Sequence, residues 1–168
     1  MTELIKQLEQ QFAATKKELK FKATLDEIDE IFFIRDFVTE KGFLSQRFSR
    51  QLCGRITDLY NAVIGFLHGI VMPNPNNVLS MTEHQAFSEE QRAEVMQVMA
   101  KIAAFTSRNW LIGLSKDKKA EAAFIDEAVS LWSKEVKPNA IEFMTRINSE
   151  WKHRAATKPK IQKSEQAY

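Results

Sequence analysis

Three histidines, one cysteine and a strip of helix-borne carboxylates are the residues of this chain that could do chemistry. Glu150-Trp151-Lys152-His153 sets a carboxylate three residues before an imidazole. That spacing helps to hold a carboxylate-bridged metal pair inside four helices. Such a centre takes two copies of the motif, and no other glutamate stands three before a histidine here. Asp26, Asp29, Asp36 and Glu40 would offer oxygen ligands to magnesium, but the segment expected to face them carries arginines in place of a second acidic strip. There is no phosphate-cradling glycine loop and no nucleophile elbow. Neither a metal nor a cofactor is expected, and the balance favours a binding role over catalysis.

A second set of polar residues lies on the segment that the rest of the chain surrounds. Arg47, Gly54, Asp58, Asn61, Gly65 and His68 recur in steps of three, four or seven, so they form one seam along a helix. Each glycine inside a helix costs about 1 kcal/mol relative to alanine, a cost that close approach of another backbone or a ligand would justify. The favoured expectation is a neighbouring helix packed on the glycines. The functional one is a small polar cleft lined by Arg47, Arg50, Asp58, Asn61 and His68, with Asn74 at its rim.

Six residues separate Arg146 from His153 on the last helix, and Ile147 follows the arginine. This spacing resembles that of helical ribonucleases of the HEPN type. The resemblance covers that helix alone. It implies a dimer whose paired motifs meet at one RNA cleft.

These residues need elements to hold them. Apolar residues from Leu44 to Ile70 repeat at helical spacing, which predicts one central helix over 44–71, ended by Met72-Pro73-Asn74-Pro75. Around it the pattern predicts helices over 1–22, 25–40, 88–112, 116–135 and from Pro138 onward. Thr24-Leu25-Asp26-Glu27 and Ser88-Glu89-Glu90-Gln91 are capping boxes, Ser80-Met81-Thr82-Glu83 suggests a further short turn, and Gly42 and Gly113 are placed to stop helices. No segment alternates with period two. The fold class is therefore all-α: a single-domain bundle of about six helices around the 44–71 helix, with no sheet. Residues 1–154 form the domain, and 155–168 form a basic tail without periodicity, read as disordered. Folding back at Gly42 brings Arg55 to the level of Asp29, which predicts a structural ion pair of Arg55 with Asp29 or Asp36.

Composition bounds the rest. At 168 residues, 44% hydrophobic and 27% charged, the chain can close a core of its own. A net charge of +2 imposes no strong overall field. The single Cys53 excludes an internal disulfide, and no apolar run is long enough to span a bilayer, so cytoplasmic location is the expectation. The expected function is that of a binding or scaffolding protein. Three tryptophans and twelve phenylalanines point to self-association or another protein partner, without a membrane. A metal-dependent or RNA-cleaving helical enzyme is the first alternative. Nucleic-acid binding through the basic tail is the second.

Overall fold

The computed structural model describes residues 2–157. Among them the chain is all-helical and has no strand. In order come α1 (Thr2–Leu19), α2 (Leu25–Phe32), α3 (Ile34–Lys41), α4 (Phe48–Val71), α5 (Val78–Gln85), α6 (Glu89–Ser115), α7 (Lys118–Leu131) and α8 (Lys137–Ala156). A π-helical turn, Trp132–Val136, joins the last two. No helix of the described residues is long and apolar enough to cross a membrane.

The predicted central helix does lie at the centre. Leu52, Cys53, Ile56 and Tyr60 of α4 are fully buried, and Leu67 and Ile70 nearly so. Its most extensive neighbour is α6. Gly113 lies against Arg50, Asn109 donates to Thr57 Oγ1 at 2.9 Å and Phe105 packs on Tyr60 at 5.3 Å, so the two helices run antiparallel. Both capping boxes form as written. Thr24 Oγ1 accepts the Glu27 N–H while Glu27 Oε2 accepts the Thr24 N–H at 2.7 Å. The Thr24 N–H and the Thr24 hydroxyl, both donating to Glu27 Oε2, hold that carboxyl below its ordinary range. Ser88 and Gln91 repeat the arrangement at the start of α6.

Several expectations need correction. The central helix begins at Phe48, not Leu44. The segment before it is held outside helical register because the Ser45 N–H donates to Gln51 Oε1 at 2.8 Å and its carbonyl accepts from Gln11 Nε2 at 2.9 Å. The expected 25–40 helix is two helices, divided at Phe33, which sits in the left-handed region at φ 52°. The break brings Arg35 back over Asp29 and Asp26, at 2.7 Å from each. Asp29 is therefore paired with Arg35 and not with Arg55. Arg55 instead donates from Nε to the Phe32 carbonyl at 2.7 Å, an acceptor next to the break, and its guanidinium lies 5.4 Å from the centre of the Phe37 ring.

Three further boundaries differ. Asn77, not Ser80, caps α5, accepting from the N–H groups of Leu79 and Ser80. Gly113 does not stop α6, which runs on to Ser115 and ends at left-handed Lys116. α7 begins at Lys118, capped by Asp117, which accepts from the N–H groups of Lys119 and Ala120. Pro138 was expected to break the helix before it, yet α7 and α8 run on through the π turn. Proline cannot donate, and its ring crowds the carbonyl four residues back. The wider turn relieves that conflict, with Lys137 N–H bonding to the Trp132 carbonyl five residues back. α8 reaches Ala156, and the rest of the expected basic tail, 158–168, lies outside the described residues.

Candidate functional site

The polar seam divides. Arg47 and Arg50 enter a cleft at one end of the bundle, whereas Asp58, Asn61, His68 and Asn74 are exposed away from it. Asn74 uses its Oδ1 to accept the Asn76 N–H and so shapes its own turn. Among the described residues the expected close approach of a helix to the glycines does not occur. A Cβ at Gly54 or Gly65 would meet nothing within 4 Å. Replacing Gly65 with alanine is therefore expected to raise stability by about 1 kcal/mol through helix propensity alone, read as a higher denaturation midpoint. A lower midpoint would mean that something covers this stretch.

The cleft has a volume of about 430 Å³ and is assembled from four separate parts of the chain. α1 gives Gln11, Thr15 and Glu18, the start of α4 gives Arg47, Ser49 and Arg50, the end of α6 gives Gly113 and Lys116, and α7 gives Lys118 and Glu121. Each wall has its own fastening. Asp126 of α7 accepts the N–H groups of Lys22 and Ala23, the latter at 2.8 Å, which draws the end of α1 onto α7. Gln11 ties α1 to the Ser45 carbonyl. Lys118 pairs with Glu18 across the cleft, and that contact raises the Lys118 pKa.

The floor is Arg50. Its Nε lies 3.6 Å from Glu121 Oε1, and Glu121 is only 6% exposed. Its Nη2 reaches the Asn109 carbonyl. Its Nη1 is buried and finds no acceptor among the described residues. Gly113 makes room for the guanidinium, since a Cβ there would stand 3.1 Å from Arg50 Nη2. Above this floor Arg47 and Lys116 have no ion-pair partner among the described residues. α4 also starts without a side-chain cap, so its first-turn N–H groups add positive potential at the same end. The site can hold negative charge and hydrogen-bond acceptors. Its lining holds no cysteine or histidine, and the nearby Cys53 is fully buried, with desolvation pushing its thiol up to about 12.

The other sequence motifs stay apart. Arg146 pairs with Glu142 one turn back, while His153 is exposed near the end of α8. Glu150 pairs with Arg154. Asp26 and Asp29 share Arg35, and no group of three or more metal-ligating side chains converges among the described residues. Lys116, Lys118 and Glu121 were not anticipated. Only Glu121 left a local trace, standing three and four residues before the buried Phe124 and Ile125 and hence on the inward arc of α7. Comparison with protein-family models, curated proteins and solved structures finds no match to this chain.

Proposed function

We propose that this is a cytoplasmic binding protein whose cleft between α1, α4, α6 and α7 takes a small anion bearing phosphate or carboxylate groups. The observation that carries the proposal is Arg50 Nη1, a buried guanidinium nitrogen left without an acceptor at the floor of a cleft that Arg47 and Lys116 also line. A buried donor without a partner costs about 1–3 kcal/mol, and an anionic oxygen is the natural group to complete it. Binding is favoured over turnover because the lining supplies charge and donors but no reactive thiol or imidazole.

Calorimetric titration with phosphate, pyrophosphate and citrate tests this. One of them is expected to bind with a Kd below about 1 mM. Arg47→Ala and Lys116→Ala, both exposed positions, are expected to weaken it about tenfold each, with stronger binding at low salt. No heat from any of the three anions, with the fold intact by circular dichroism, would refute the proposal.

A further inference from the structure

The outer face of α6 is apolar where solvent should have selected polar residues. Ala93, Met96, Ala100, Ala103, Ser107, Trp110 and Leu114 are all exposed, and they succeed one another in alternating steps of three and four. That is the 3.5-residue period of a helix seam made to meet another helix. The largest of them are the most bare, Trp110 at 77% and Leu114 at 79%. Leu111 beside them is 66% exposed. The opposite face of α6 is already used, with Val95, Ile102, Phe105 and Ile112 in the core. The bundle therefore leaves this stripe without a partner among the described residues.

We propose that the occupant is a second copy of this chain, with the two α6 helices antiparallel about a two-fold axis near Ala103. Two features select that arrangement. The first is size. The middle of the stripe is Ala100, Ala103 and Ser107, which lets two backbones approach. A two-fold axis at Ala103 then sets Trp110 against the partner's Met96, and Leu114 against the partner's Ala93, so that the bulkiest groups at one end meet smaller ones. The second is charge. α6 opens with Glu89, Glu90 and Glu94 against a single Arg92, and Lys116, Lys118 and Lys119 stand around its end against a single Asp117. Antiparallel pairing sets the acidic end of one helix beside the basic end of the other and opposes their dipoles. Parallel pairing would stack like charges.

At 27 residues, α6 is about 40 Å long, and one helix stripe covers less than the roughly 800 Å² per partner of a typical stable interface. A dimer with a micromolar Kd follows. The inference rests on the apolar stripe and does not require an anion in the cleft, although Lys116 and Lys118 of the basic end also line that cleft.

Sedimentation of the full chain from about 1 to about 100 µM tests it, since a micromolar dimer forms across that range. Wild type is expected to pass from monomer to dimer. Ala103→Glu, at an exposed position, is expected to stay monomeric with unchanged helicity and unchanged anion binding. Orientation is read by oxidising single-cysteine substitutions with diamide, Cys53 being too buried to react. Helices about 8 Å apart place facing Cα atoms within disulfide reach, so Ala103→Cys is expected to cross-link. Met96→Cys and Leu114→Cys are expected not to, their copies being about 21 and about 33 Å apart along the axis. Equal cross-linking at all three positions would overturn the antiparallel arrangement. A wild-type monomer throughout, or an Ala103→Glu variant that dimerises like wild type, would overturn the proposal. So would a monomer whose Trp110 fluorescence shifts on adding phosphatidylcholine vesicles, which would give the face to lipid.

Discussion

Replacing Tyr60 with alanine is expected to destabilise the fold by about 4 kcal/mol, enough to leave a marginal domain largely unfolded near its working temperature. Tyr60 is fully buried in the middle of α4. Its ring lies 5.8 Å from Phe32, 5.3 Å from Phe105 and 6.4 Å from Trp132, so one side chain joins α2, α4, α6 and the π turn. Tyr60→Phe isolates the hydroxyl, which donates to the Ala128 carbonyl at 2.6 Å. Its loss is expected to cost about 1 kcal/mol at neutral pH.

The alkaline limb separates the two effects further. Burial raises the Tyr60 phenol above its ordinary range, and burial raises Cys53 likewise. For an acid whose folded pKa is raised, the native state keeps its proton after the unfolded chain has lost it. Stability is therefore full below the unfolded pKa and falls as pH rises from there towards the folded pKa. One such group contributes a slope of about 1.4 kcal/mol per pH unit. Tyr60→Phe lacks the tyrosine part of that slope, so its urea midpoint is expected to meet that of wild type near about pH 11. Parallel curves for the two proteins up to that pH would show that Tyr60 is solvated in the native state.

Arg50→Ala is expected to cost about 3 kcal/mol, the largest effect of any substitution at the cleft. It removes the only cation within ion-pair distance of Glu121 among the described residues, and that carboxylate is 6% exposed. The low end of the range applies because the contact is 3.6 Å and Arg50 is itself about a third exposed. Replacing both members, Arg50→Met with Glu121→Leu, removes the charges together and is expected to return stability to within about 1 kcal/mol of wild type. Urea denaturation of the two single variants and the double variant gives the coupling directly. Additive losses would mean that the pair does not act as a pair. The double variant should also bind no anion, which separates its part in the cleft from its part in the fold.

What could be read in the sequence was what is decided locally. The two capping boxes need only four residues each. The apolar arc of α4 needs only its own period. The break at Phe33 left no mark, because the apolar pattern from Leu25 to Val38 runs through it and no glycine or asparagine stands there. The pairing of Asp26 and Asp29 with Arg35, and the bond from Arg55 to the Phe32 carbonyl, exist only once that break is made. One straight helix over 25–40 would set Asp29 opposite Arg55, and the break removes that geometry. The cleft was half legible. Arg47 and Arg50 belong to the expected polar cleft, but Lys116 and Glu121 are more than sixty residues away and reach it only through the antiparallel pairing of α4 with α6. Gly113 was read as a helix end, although its lack of a side chain is what leaves space for the Arg50 guanidinium. The abundance of phenylalanine, taken as a sign of association, is mostly core: Phe12, Phe21, Phe32, Phe48, Phe87, Phe105, Phe124 and Phe143 are all buried.

The π turn at Trp132–Val136 also sets a phase. A π turn holds one residue more than the α-helical path it replaces, and each residue advances a helix by about 100°. From Lys118 to Ala156 the chain is one rod, and that one extra residue decides which side of its second half looks inward. With it, Phe143 and Ile147 meet the core, Phe143 edge-on to Phe87 at 5.9 Å. Without it, the same residues would point about a quarter-turn away, and Ile141 and Met144 would change places with them relative to the bundle. The turn is in effect a one-tooth offset between two geared shafts, and the length of the chain between Leu131 and Lys137 is under tighter constraint than the identity of the residues that fill it.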